Sequence, residues 1–294
     1  MNSNKQFLGF ICFLFCFICA FAKAADPIPK DPKEFCAYSL KKIKGKFNEK
    51  KINKICSEIK VMDECKSNSG FPIYHYEKTA SVATAKHILV FALTHGDEEP
   101  SGSVARSWME RLTDIEPRNS WRVIPLNNPD GWIKKTRTNA NGIDLNRNFP
   151  TQNWETESTE WWTKQTKKDP RRFPGHKGAS EVETKCAVAH IEEFKPNFII
   201  SIHTPYGVLD FDGPSRNIKF PAFSPLPWRP LGNYPGSLGR YMWKERKVPV
   251  LTVELKGNGV IQRLEKFDHL QDITGHVAIQ AEKAVEAEQT KEKK

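Results

Sequence analysis

The stretch His87-Ile-Leu-Val-Phe-Ala-Leu-Thr-His-Gly-Asp-Glu98 decides the fold class. Ile88 to Leu93 form an almost unbroken apolar run, too short for a long helix, which reads as a strand buried on both faces. The run stops at Thr94-His-Gly-Asp-Glu98, a polar turn with glycine at its bend. In open α/β sheets, ligands sit beyond the carboxyl ends of the strands. His95 and Glu98 therefore leave the sheet where a site is expected. One imidazole and one carboxylate are two of the three protein ligands of a catalytic zinc. Taken alone, a histidine and an acid after a strand are ordinary loop residues, so the reading depends on the rest of the chain.

The same logic extends in both directions. Pro72 to Glu77 alternates and reads as a first strand, Trp121 to Leu126 as a short buried one. Asn197 to Ile202 is a buried strand ending in His203, and Val248 to Val253 another ending in Glu254. Between them Val104 to Leu112 and Glu181 to Phe194 read as helices, the second capped by Ser180 with Glu183 three residues on. Ile279 onward reads as a charged helix. Residues 134 to 150 are a polar loop anchored by Ile143 and Leu145, and 152 to 174 an irregular excursion with three tryptophans. His75 and His87 fall in or near strands as structural histidines. Strands separated by helices give an α/β domain with a mixed, mostly parallel central sheet flanked by helices.

At the N-terminus, Lys5 precedes the apolar stretch Phe7 to Phe21, and Ala22-Lys-Ala24 offers a small-x-small cleavage site. This is a signal-peptide pattern over residues 1–24, with export to the periplasm or outside the cell and no stable membrane anchor after cleavage. Three of the seven cysteines leave with it. Cys36, Cys56, Cys65 and Cys186 remain, an even set in an oxidising compartment, and their three possible pairings stay open. Phe35, Tyr38, Leu40 and Ile43, then Ile52, Ile55 and Ile59, suggest two amphipathic helices in a Cys-containing N-terminal extension, 25–66, either a cap or a pro-segment. The catalytic domain is expected over 67–282 and a charged tail over 283–294. The net charge of +10 suits either a solvated surface or attraction to anionic envelope polymers. No aromatic platform accompanies the lysines, which argues against nucleic acid. A monomer is expected.

Three apolar strands thus end in His95/Glu98, His203 and Glu254. Two nitrogens and a carboxylate leave one zinc position open, the arrangement of a hydrolytic site, and Glu254 is free to act as the base. The residues His95-Gly-Asp-Glu98, Asn128-Pro-Asp-Gly131, Thr136-Arg137, Asn141-Gly-Ile-Asp-Leu-Asn-Arg-Asn148, Ser180-Glu-Val-Glu-Thr184, Ser201-Ile-His203 and Thr252-Val-Glu-Leu255 resemble, in order, the zinc carboxypeptidase family of the carboxypeptidase A kind. Within it the chain is most similar to bacterial murein peptide amidases and peptidoglycan DL-carboxypeptidases. The resemblance implies one zinc ion held by His95, Glu98 and His203, with Glu254 as general base. It implies Arg137 at the developing oxyanion, Asn146 and Arg147 on the substrate's terminal carboxylate, and Asp144 orienting the first histidine. Tyr234 is the best match for the family's substrate-binding phenol. Asp210 and Asp212 either receive a substrate ammonium, such as that of diaminopimelate, or are turn residues.

The implied activity is hydrolysis of peptidoglycan stem peptides at the γ-D-glutamyl–meso-diaminopimelate bond. An LD-carboxypeptidase acting on tetrapeptides and a small-molecule amidohydrolase are the alternatives. A non-catalytic wall-binding protein predicts a lost ligand or base, and none is lost. Cytoplasmic murein peptide amidases lack a signal peptide, so the chain departs from them there. The short interval between His203 and Glu254 also implies trimmed loops relative to the digestive enzymes.

Overall fold

The apolar runs build one sheet of seven strands: β1 (Lys60–Lys66), β2 (Pro72–Lys78), β3 (His87–Phe91), β4 (Ser120–Ile124), β5 (Phe198–His203), β6 (Val208–Asp212) and β7 (Val250–Glu254). Their spatial order is β1-β2-β4-β3-β5-β7-β6. The inner strands β4, β3, β5 and β7 run parallel; the pairs at both edges are antiparallel. The computed structural model describes residues 27–214, 221–223 and 226–292, so the expected signal peptide lies outside the described residues. No helix among the described residues is long and apolar enough to cross a membrane.

Side chains alternate across a strand, and here both faces are buried. Ile88, Val90 and Ala92 enter one hydrophobic cluster, Leu89 and Phe91 the other. The first cluster is covered by α1 (Pro32–Lys42), α2 (Glu49–Glu58), α3 (Glu99–Leu112) and α7 (Asp268–Glu292), through Phe35, Ile55, Trp108 and Val277. The second is covered by α6 (Val182–Phe194), through Ile191 and Phe194. Two disulfides form: Cys36–Cys56 joins α1 to α2, and Cys65–Cys186 joins β1 to α6.

The structure departs from the sequence reading in several places. The sheet begins one strand before Pro72, because β1 lies within the segment read as helical and pairs with β2. The excursion 152–174 contains a helix, α5 (Trp154–Lys164). Ser180 does not cap α6: its hydroxyl donates to Glu181 Oε1 (2.7 Å), and Glu181 itself stands at the N-cap, its carboxylate accepting from no N–H of the helix's first turn. Asp210 and Asp212 are not turn residues; they lie two apart on the edge strand β6, on the same side of the sheet. Helix α7 starts at Asp268, ahead of Ile279.

Candidate functional site

β3, β5 and β7 end side by side, with His203 and Glu254 paired in register. The chain leaves β3 through Leu93, whose φ of 46° lies in the left-handed region. The Leu93 N–H donates to Ser101 Oγ (3.0 Å), which holds this uncommon conformation in place. Gly96 then passes so close to the turn at Gly131 that a Cβ would lie 1.9 Å from the Gly131 carbonyl carbon. Buried Asn128 links the same segments. Its Oδ1 accepts from the Gly131 N–H (2.9 Å), capping α4 (Pro129–Lys134), and its Nδ2 donates to the Thr94 carbonyl (3.2 Å).

These supports aim three buried side chains at one point. His95 Nδ1 lies 2.8 Å from Glu98 Oε1, His203 Nδ1 2.9 Å from Glu98 Oε2, and the two Nδ1 atoms 3.2 Å from each other. The far ring nitrogens are already engaged: His95 Nε2 faces Asp144 Oδ1 (3.0 Å), and His203 Nε2 faces Ser201 Oγ (2.9 Å). With a cation held between Nδ1 and Glu98, Asp144 would keep the His95 proton on Nε2 and leave the Nδ1 lone pair facing inward. Burial and Arg137 oppose a charged His95, yet Glu98 and Asp144 outweigh them and raise its pKa. Burial likewise works against an ionised Glu98, and the two imidazoles overcome it, holding its carboxyl well below the usual range. The point between these atoms therefore favours positive charge. Two imidazole nitrogens and a carboxylate there fit a zinc ion and leave room for a further ligand. Among the described residues one other group, Cys65, Cys186 and His190, lies close enough for a metal, but its cysteines are joined in a disulfide and offer no thiolate.

Glu254 stands beside this group with Oε2 accepting from the Tyr206 N–H (3.4 Å). Burial, with Glu98 adding, raises its pKa and makes it a stronger base. Arg137 donates to Asp144 Oδ2 from Nε and Nη2 (3.1 and 2.9 Å) and to Glu98 Oε1 from Nη1 (3.3 Å). Asn146 Oδ1 accepts from the Leu238 N–H (2.9 Å), which leaves its Nδ2 for a ligand oxygen. Buried Arg147 donates from Nη1 to the Asn146 carbonyl (2.6 Å), while its Nε is buried without a partner. Tyr234 donates its hydroxyl to the Leu231 carbonyl (2.8 Å). Burial pushes Asp212 up to about 7, with the charge of Asp210 adding to it. One cavity of about 520 Å³ takes in the three candidate ligands, Glu254, Arg137, Asn146, Arg147, Tyr234 and both aspartates; Asp144 lies behind its wall.

Several contributors were not named from the sequence. Ser201 fixes the His203 ring, and the Thr204 N–H donates to Glu98 Oε2 (3.1 Å). Ser201 lies two residues before His203 on one strand face, a period-2 relation that could have flagged it. Arg171 and Arg172 also reach the cavity. Asn139 donates to Glu181 and Glu183, which ties the loop bearing Arg137 and Asp144 to the start of α6.

The zinc carboxypeptidase family model matches residues 50–211. Murein peptide amidase A of Vibrio campbellii is 32% identical over 199 residues, covering 65% of this chain and 77% of that protein. Murein peptide amidase A of Escherichia coli K12 is 35% identical over 133 residues, covering 45% of this chain and 54% of its own length. The crystal structure of murein-tripeptide amidase MpaA from Escherichia coli O157 superposes with a TM-score of 0.55 at 24% identity, over 75% of this chain and 91% of that one. That likeness shows the fold.

Proposed function

The chain belongs to the zinc carboxypeptidase family, and from that premise we propose that it cuts peptidoglycan stem peptides at the γ-D-glutamyl–meso-diaminopimelate bond. It is a zinc metallohydrolase, with His95, Glu98 and His203 the residues that would hold the ion. Zinc bound there supplies a Lewis acid and lowers the pKa of water toward neutrality. Glu254 takes a proton from the attacking water and returns it to the departing amine. The Arg137 guanidinium, held by Asp144, offers positive charge to the carbonyl oxygen as it becomes negative. Asn146 Nδ2 and Arg147 bind the terminal carboxylate, which sets the register of the scissile bond. Asp210 and Asp212 give the same cavity an acidic wall, and the distal ammonium of diaminopimelate placed there would relieve their mutual repulsion.

The observation that carries this reading is the convergence, in one cavity, of the two Nδ1 atoms and Glu98 beside Glu254 and a carboxylate clamp. The names of the sequence relatives support murein peptides as the substrate class. The N-terminal apolar pattern and the two disulfides support an exported, periplasmic enzyme. The test is to incubate zinc-saturated protein with the tripeptide L-Ala-γ-D-Glu-meso-diaminopimelate and follow products by mass. Free diaminopimelate and L-Ala-D-Glu are expected. Release of only terminal D-alanine from a tetrapeptide would establish the LD-carboxypeptidase reading instead.

A further inference from the structure

Helix α5 grips Arg147 at both ends. Trp154 Nε1 donates to the Arg147 carbonyl (2.8 Å), and the Arg147 guanidinium carbon lies over the Trp161 ring, 4.9 Å from its centroid. Trp154 and Trp161 are seven residues apart, two helical turns, so they share one face. Glu157, between them on that face, pairs with Arg240 and fastens the helix to the segment after Tyr234. The Tyr234 ring lies 4.7 Å from the same guanidinium and 5.1 Å from Trp161. Two aromatic rings in contact with each other thus back a cation that burial would otherwise disfavour. One nitrogen of the guanidinium is tethered to the Asn146 carbonyl, and its buried Nε has no partner among the described residues.

We infer that Trp161 and Tyr234 are positioning residues for the carboxylate clamp: their two touching rings back the Arg147 guanidinium and fix its orientation, so that its N–H groups meet a carboxylate edge-on. The inference rests on the proposed carboxypeptidase reading and deepens it, assigning the selection of a free terminal carboxylate to α5. A planar, fixed guanidinium recognises a carboxylate by two parallel N–H···O bonds, and its orientation sets their quality. Tyr234 acts through its ring, since its hydroxyl is bound to Leu231.

The experiment reads binding without turnover. In zinc-loaded Glu254→Gln protein, affinity is measured by calorimetry for the stem tripeptide and for the same peptide with its terminal carboxyl amidated. The parent should prefer the carboxylate. Adding Trp161→Ala should weaken carboxylate binding about tenfold, in the range of a desolvated cation–π contact, and leave the amide unchanged. Trp161→Phe should restore most of the loss. Tyr234→Ala should weaken carboxylate binding in the same way. In the otherwise wild-type enzyme, Trp161→Ala should raise KM with kcat within about threefold. An equal loss for both peptides, or no loss with Trp161→Ala, overturns the positioning role. A parent that binds neither peptide instead overturns the substrate reading, so the two failures are distinct.

Discussion

Glu254 carries both proton transfers of the proposed reaction, and its setting suits that work. It sits at the rigid end of β7, in register with His203, in a buried position that raises its basicity. Glu254→Gln preserves size and leaves an amide oxygen for the Tyr206 N–H, yet removes the base. Zinc content by metal analysis should stay stoichiometric and stem-peptide binding near normal, while turnover falls about 10²- to 10⁴-fold. A Gln variant turning over at the wild-type rate would return Glu254 to a structural strand-end role. The residues legible in the sequence stand at the ends of apolar runs or in the motifs around Arg137 and Arg147. Those positions need no knowledge of what touches what. The Thr204 and Tyr206 N–H groups were not legible for the opposite reason: each matters only through a partner far away in the chain, Glu98 and Glu254 respectively.

At the scale of elements, burial decides what the sequence reveals. β3, β5 and β7 are covered on both faces and so read as apolar runs. The edge strands do not. β1 exposes Asp63 and Glu64, and β6 turns Asp210 and Asp212 toward a polar cavity, which mimics the composition of a turn. α5 was hidden because it packs on the Arg147 loop rather than on the sheet, so its face is marked by Trp154, Glu157 and Trp161 and not by an aliphatic stripe. The pairing of the cysteines is likewise a property of packed elements. Cys65–Cys186 ties the edge strand β1 to α6 across a sequence separation of 121. Replacing both cysteines by Ala should lower stability by about 2–4 kcal/mol, read as a urea midpoint shift at unchanged zinc content, since β1 is an edge strand separated from β3, β5 and β7 by β2 and β4. Protein comprising residues 25–294, denatured without reductant, should titrate no free thiol; four free thiols would rule out both bonds.

Across the whole molecule, one seat of acid sensitivity lies away from the cavity. Arg122 on β4 donates to His190 Nδ1 (3.3 Å), to Glu77 Oε1 on β2 (3.1 Å) and to Glu193 on α6 (3.1 Å). Burial drives the His190 pKa down to about 3, with His75 and Arg122 adding to the effect. Glu77 is held at about 2 by its hydrogen bond from His75 and, against burial, by Arg122 and Lys60. In the unfolded chain these groups return to about 6.5 and 4.3. Between pH 6.5 and 3 the unfolded state therefore binds a proton at His190 that the folded state refuses, and stability falls as pH falls. Below about pH 4.3 the unfolded state also binds a proton at Glu77 that the folded state refuses, which acts in the same direction. One such proton gives a slope of at most about 1.4 kcal/mol per pH unit. His190→Gln offers Arg122 an amide oxygen and does not titrate. Urea midpoints at pH 7.5, 6.5, 5.5 and 4.5 should fall more steeply for the wild type than for the variant between pH 6.5 and 4.5. The difference between the two proteins cancels whatever acid does to the zinc ligands, which both share. Parallel curves over that range would mean that His190 takes up its proton without penalty and that the buried cluster does not set the acid limit of the fold.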